Sequence, residues 1–89
     1  MTCYIVTFEV TSDETREKLR ERLKSYGYFC PILNNCWAIM TEKKAADVRD
    51  DLTKLVGPNG RLFVIRSGTE AAWYNSYGTT HDEWLKRNL

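Results

Sequence analysis

Histidine, long apolar runs and an excess of one charge are missing or scarce in this 89-residue sequence. The one histidine, His81, leaves a nucleophilic triad with almost no general base to use. Thirteen Lys and Arg against twelve Asp and Glu give a net charge of +1, so no overall field attracts nucleic acid or a membrane. No apolar run approaches the ~20 residues of a membrane span, and no basic leader precedes the first strand-like segment. These absences predict a cytoplasmic protein with no membrane partner.

Cysteine is too sparse for a disulfide framework or a conventional zinc site. Cys3, Cys30 and Cys36 are odd in number, lack Cys-x-x-Cys spacing and lie in apolar segments, a pattern typical of buried reduced thiols. A zinc ion would need all three and His81 drawn together from distant parts of the chain. The sequence therefore predicts no metal site and no cofactor.

What the sequence does contain is a regular alternation of strand-like and helical patterns. Alternating and apolar runs predict strands at 3–10, 28–33, 36–41 and 61–67, and helical spacing predicts helices at 12–26, 45–56 and 81–88. The helices are predicted to be capped by Thr11, Thr41 and Thr80. The core between helices and sheet is predicted to contain Ile5, Val6, Leu23, Val48, Leu52, Leu55 and Val64.

The order β-α-β-β-α-β followed by a short helix is the ferredoxin-like α+β pattern. Pro31 cannot donate a ladder hydrogen bond, so the first arm of the central hairpin is expected to be an edge strand or to carry a bulge.

We expect one domain over residues 1–89, with a core at 1–67 and a C-terminal dimerisation segment and helix at 68–89. In the ferredoxin-like pattern the first two helices are expected to cover one face of the sheet and to leave the other face bare. Apolar groups offered to both faces by Ile5, Trp37 and 62–65 then predict a second copy of the chain over the other face.

A family resemblance extends over nearly the whole chain and is carried by the segments 4–6, 23–27, 36–39, 46–49, 62–66, 71–73 and 84–86. In these segments the chain resembles the SinR-like family of small bacterial proteins, relatives of the CRISPR-associated adaptation subunit. The resemblance implies a ferredoxin-like homodimer in which the segment after the last core strand pairs with the other subunit. It also implies one of two roles: a scaffold that holds DNA in an integration complex, or a metal-dependent nuclease.

Glu9, at the end of the first predicted strand, is the site residue that the resemblance singles out. Relatives that cleave nucleic acid carry an aspartate there, which two subunits bring together around a metal ion. The longer Glu side chain displaces the carboxylate by about a bond length, and octahedral Mg²⁺ tolerates little displacement. We therefore expect a non-catalytic protein, and the alternative is a metal-dependent endonuclease with Glu9 as its catalytic residue and magnesium as its cofactor.

A second acidic group lies on the second predicted helix and consists of Asp47, Asp50 and Asp51. These residues fall opposite the apolar stripe of the helix, so we interpret them as a solvated face.

Two groups of basic residues are candidates for contact with a phosphate backbone. Arg16, Arg20 and Lys24 recur every four residues in the first predicted helix. Glutamates stand beside them at ion-pairing spacing, so a salt-bridged exposed helix is the alternative interpretation. Arg61 and Arg66 on the last core strand form the second group.

Aromatic residues crowd the final third of the chain, where Trp73, Tyr74 and Tyr77 follow the last core strand. Stacking on single-stranded bases is one use for them, and packing of the terminal helix over the sheet is another. We predict that they form the dimer interface, because the matching region of the relatives pairs with the other subunit. The sequence thus predicts a homodimeric binding or scaffold module whose further partner is nucleic acid or protein. A protein-binding regulator from a phage or defence system is left as an alternative.

Overall fold

The computed structural model of the protein describes residues 1–68 and 70–89. Thr69, in the predicted dimerisation segment, lies outside the described residues. The chain forms β1 (Thr2–Glu9), α1 (Asp13–Lys24), β2 (Tyr28–Leu33), β3 (Cys36–Thr41), α2 (Ala45–Val56), β4 (Arg61–Arg66) and α3 (Thr79–Asn88). The predicted order of elements is confirmed, and none of these helices is long and apolar enough to cross a membrane.

The caps of the first two helices differ from the predicted ones. Ser12, not Thr11, caps α1, and its side-chain oxygen accepts a hydrogen bond from the N–H of Thr15 at 3.2 Å. Ser12 has the extended backbone that an N-cap needs, with φ −107° and ψ 133°. The N-cap of α2 is Lys44 rather than Thr41, because Thr41 still belongs to β3.

The start of α3 also differs from the prediction. The helix begins at Thr79, so Thr80 lies inside its first turn rather than at the cap. Gly78 occupies the N-cap with a φ of 148°, a region that glycine enters readily. The backbone freedom of glycine, and not a threonine hydroxyl, therefore sets this boundary.

The four strands form one antiparallel sheet in the order β2-β3-β1-β4. This arrangement is consistent with the ferredoxin-like pattern. β1 pairs on both sides and lies inside the sheet, whereas β2 and β4 are its edges. The prediction for Pro31 is confirmed, because β2 is an edge strand and its register shifts between Pro31 and Leu33.

α1 and α2 pack against one face of the sheet and enclose the larger core. Its buried members are Tyr4, Val6, Phe8, Val10, Leu19, Leu23, Trp37, Ile39, Val48, Leu52 and Val56. Of the predicted core, these include Val6, Leu23, Val48 and Leu52, while Leu55 and Val64 are half-buried against it. The prediction for Ile5 is wrong, because successive side chains of a strand alternate and Ile5 belongs to the opposite face.

α3 packs against that opposite face, so the expectation that a single chain leaves it bare is wrong. Leu85 of α3 is buried together with Cys3, Cys30 and Ala38. Half-buried around this second core are Ile5, Ile32, Met40, Trp73, Trp84 and Leu89. The short helix can serve as a cover because its apolar residues fall on one side.

A polar contact joins α1 to α2 on the outer side of the larger core. The guanidinium of Arg22 donates two hydrogen bonds to the carboxylate of Asp51, at 2.9 and 2.6 Å. The hydroxyl of Tyr26 donates a third, at 2.8 Å. The interpretation of Asp51 as part of a solvated face is therefore wrong, because only 14% of its side chain is exposed.

Candidate functional site

Glu9 lies at the end of β1, directly opposite Arg61, the first residue of β4. Nη1 of Arg61 donates to Oε1 of Glu9 at 2.6 Å, and both side chains are largely exposed. Gly60 makes this approach feasible, because a Cβ there would lie 2.3 Å from Cγ1 of Val56 and 3.1 Å from the carbonyl oxygen of Glu9. A side chain at residue 60 would therefore force Val56 and the end of β1 to shift, which favours glycine in the turn before β4.

The surroundings of Glu9 supply few groups for catalysis. The open depression beside it is lined by Thr7, Phe8, Glu9, Asn35, Arg61, Leu62 and Phe63, among which Glu9 is the one carboxylate. Among residues 1–68 and 70–89, no group of three or more His, Cys, Asp or Glu side chains is placed to hold a metal ion. A cation bound by Glu9 would have to share the carboxylate with the guanidinium of Arg61, which already contacts one of its two oxygens.

The three basic residues of α1 that the sequence singles out are each ion-paired within the helix. Arg16 pairs with Asp13, Arg20 with Glu17 at 3.6 Å, and Lys24 with Glu21 at 3.8 Å. Each pair has the i, i+3 spacing that brings side chains together on a helix surface. The alternative interpretation, a salt-bridged exposed helix, therefore describes α1 as it folds.

Arg61 and Arg66 do not form one basic patch. They lie at opposite ends of β4, where Arg61 faces Glu9 and Arg66 faces Tyr4. Because their separation along the strand is odd, their side chains also project from opposite faces of the sheet. The two residues grouped by the sequence are thus separated by the structure.

The three aromatic residues predicted for a dimer interface fall into two environments. Trp73 is half-buried in the second core, and its indole N–H donates to Oδ1 of Asp82 at 2.9 Å. Tyr74 and Tyr77 project outward, and 89% of Tyr74 is exposed. The ring of Tyr77 meets that of His81 edge-on, with their centroids 5.9 Å apart.

The cysteines are free, as predicted. Cys3 and Cys30 are buried beneath α3, while Cys36 is partly accessible. Burial raises the pKa of all three thiols, so the reactive thiolate is a rare form of each. Cys3 and Cys30 are packing residues of the second core.

α3 covers the second face only in part and leaves an apolar area that includes part of the run 62–65, whose residues the sequence predicted to be covered by a second copy but did not single out as site residues. In the single chain, Phe63 is 58% exposed and Ile65 49% exposed. A row of paired residues crosses the four strands from Phe63. Phe63 on β4 pairs with Thr7 on β1, Thr7 pairs with Cys36 on β3, and Cys36 pairs with the exposed Leu33 on β2. We call these five residues, Thr7, Leu33, Cys36, Phe63 and Ile65, the open strip. The apolar run 62–65 was the signal for this area, because it offers large side chains to both faces of the sheet, whereas the extent of the cover by α3 had no signal in the sequence.

Comparison with models of protein families finds no match for this chain, and comparison with curated proteins finds none either. The resemblance to the SinR-like family therefore stays a prediction. The geometry of the open strip, the Glu9–Arg61 pair and the C-terminal aromatic residues carries the functional argument.

Proposed function

We propose that the protein is a cytoplasmic, non-catalytic homodimer with a ferredoxin-like fold that serves as a binding or scaffold module. The open strip carries this proposal. Large side chains that are half exposed and adjacent on a sheet face are uncommon unless a partner covers them. A second copy of the chain is the partner that requires no further component.

The rim of the open strip supports an isologous contact, in which the same surface of both copies meets about a two-fold axis. Glu9 and Arg61 stand side by side at one end of the strip. A two-fold axis near them would place each carboxylate close to the guanidinium of the other copy. A surface that carries one acid and one base in this way is complementary to itself.

The basic residues of α1 give limited support for a nucleic-acid partner. A phosphate backbone that binds Arg16, Arg20 or Lys24 has to compete with the acidic partner that each cation already has. The resemblance to the CRISPR-associated adaptation subunit still favours a scaffold that holds nucleic acid. A protein-binding regulator is the alternative, and it would use the same dimer.

Sedimentation velocity of the wild type and of Phe63→Glu tests the proposal. We expect a concentration-dependent dimer for the wild type at micromolar concentrations, and a monomer for Phe63→Glu, because a buried carboxylate opposes association. Tyr28→Glu is the matched control, since Tyr28 is equally an exposed aromatic residue of an edge strand but lies outside the open strip. A wild-type monomer at every concentration would end the proposal.

The same experiment separates two interfaces. If Tyr74→Glu gives a monomer while Phe63→Glu remains a dimer, the interface is the C-terminal aromatic segment that the sequence predicts. Circular dichroism of each variant shows whether the fold is retained.

A further inference from the structure

Hydrogen bonds hold both ends of the loop at residues 73–78, which we call the aromatic loop. The indole of Trp73 is anchored in the second core and donates to Asp82 on α3. The hydroxyl of Ser76 donates to the carbonyl oxygen of Gly78 at 3.1 Å and accepts from the N–H of Gly78 at 3.3 Å. Asn75 takes a φ of 57°, a left-handed conformation that Asn tolerates better than most residues. Contacts thus hold the loop at its beginning, through Trp73, and at its end, through Ser76 and Gly78.

Two aromatic rings project from the aromatic loop. Tyr74 is 89% exposed, and Tyr77, supported by the edge of the His81 ring, is 54% exposed. Neither ring takes part in either core. Aromatic side chains have few rotatable bonds, so uncovered rings on a loop held at both ends lose little conformational entropy when a planar ligand stacks on them.

A depression runs from the aromatic loop to α3 and offers both polar groups and a cation. Beside Tyr74 it is lined by Asn75, Ser76, Thr79, Asp82 and Lys86. Asp82, which accepts a hydrogen bond from the indole of Trp73, brings a negative charge to this depression. Its charge offsets that of Lys86, and the depression is close to neutral.

We propose that the aromatic loop binds single-stranded nucleic acid, with an unpaired base stacked on Tyr74 and Lys86 beside a backbone phosphate. Every base has a face that can stack on tyrosine, and the amide and hydroxyl groups of Asn75 and Thr79 suit the polar edge of a base. In a duplex both faces of a base are covered by its neighbours, so a duplex is excluded. The inference rests on the proposed binding role, for which it supplies the ligand class and the site, and it does not depend on the dimer.

Because the site is nearly neutral, stacking and not counterion release dominates its binding. One phosphate contact predicts a logarithmic salt dependence with a slope of about −0.7 for a single strand. A groove that relied on the basic residues of α1 would give a slope roughly three times steeper. The salt slope thus distinguishes the aromatic loop from α1.

Fluorescence anisotropy with labelled fifteen-nucleotide oligo-dT and oligo-rU, and with a labelled duplex, tests the proposal on the full chain. We expect Tyr74→Ala to weaken single-strand binding roughly 10-fold and Tyr74→Phe to retain it, because the ring and not the hydroxyl stacks. Tyr28→Ala is the control for loss of an exposed tyrosine. Lys86→Gln should weaken binding and flatten the salt slope, with Lys54→Gln on α2 as its control.

Three results overturn the inference. The first is wild-type protein that binds no oligonucleotide, which would leave a protein partner. The second is a duplex bound as tightly as a single strand. The third is binding that survives Tyr74→Ala but is lost in Arg20→Gln with Lys24→Gln, which would move the nucleic acid to α1. Because the dimer is measured separately by sedimentation, each result leaves the proposed homodimer to its own test.

Discussion

Glu9 has a partner in its own chain, and that pairing bears on the nuclease alternative. Metal-assisted cleavage of a phosphodiester needs an ion held by well-placed oxygen ligands and a water activated beside the phosphate. Arg61 donates to one of the two Glu9 oxygens, and no other carboxylate lines the depression around them. We therefore expect wild type and Glu9→Gln to show the same background with labelled DNA and RNA in magnesium or manganese. Cleavage by the wild type that disappears in Glu9→Gln would establish the nuclease instead.

Asp51 is the residue whose ionisation links stability to pH. Hydrogen bonds from Arg22, and secondarily from Tyr26, hold its pKa below the usual value. A carboxylate whose pKa is lower in the folded state stabilises the fold above the unfolded pKa of about 3.9, and this contribution is lost as pH falls through the folded pKa. We expect Asp51→Asn to be less stable than wild type at pH 7, with a smaller loss of stability on acidification. Urea titrations at pH 7 and pH 3 measure both effects.

The control for Asp51→Asn is the neighbouring Asp50→Asn. Asp50 is exposed and contacts only Arg49 on its own helix, so its removal should change stability little. Equal effects of the two substitutions would mean that the contact between α1 and α2 contributes nothing specific.

α2 buries three residues, more than α1 or α3, and therefore suits a test of core packing. Leu52 is fully buried between α2 and the sheet. We expect Leu52→Ala to lower the free energy of unfolding by ~2 to 5 kcal/mol. Leu55→Ala, at a half-buried position of the same helix, should cost less. Denaturant titration that shows under ~1 kcal/mol for Leu52→Ala would contradict this account of the core.

α3 covers the thiols of Cys3 and Cys30, so the rate at which a reagent labels these thiols reports on the opening of the helix. Leu85 is its one buried residue and lies against Cys3 and Cys30. We expect Leu85→Ala to raise the rate at which a thiol reagent labels Cys3 and Cys30 at least roughly 10-fold, because opening of the helix becomes easier. The labelling rate of Cys36, outside the second core, should change little. Glu83→Ala, at an exposed position of α3, is the control, and unchanged labelling of Cys3 and Cys30 in Leu85→Ala would show that α3 is not their cover.

For the protein as a whole, a dimer makes thermal stability depend on concentration. Association that involves only the folded chain raises Tm as the protein concentration rises. We expect the wild type to show this rise and Phe63→Glu to lack it. A scanning measurement over a hundredfold range of concentration checks the prediction, and a wild-type Tm that stays constant would argue against a dimer held by the open strip.

Local patterns in the sequence were sufficient for the elements and for most of the larger core. Alternation in β1 and the stripe of α2 specify which side chains face inward, because the period of a strand or helix is a local property. Leu52, Val48 and Val6 were correctly predicted for this reason. Pro31 likewise restricted β2 to an edge, since a missing N–H has the same consequence in any fold.

The contacts between distant segments followed from the fold and not from local pattern. Asp51 is spaced like a solvated acid, yet the packing of α1 on α2 supplies it with Arg22 and Tyr26. Arg61 and Arg66 look like one basic group, yet the strand directs them to opposite faces and pairs Arg61 with Glu9. α3 lies on the second face and divides it into a covered part and the open strip. The sequence did not show this division, because the period of a segment does not encode the direction in which the chain returns after β4. Composition and periodicity therefore determine the elements and their inward sides, whereas which surface is left for a partner depends on how those elements pack in three dimensions.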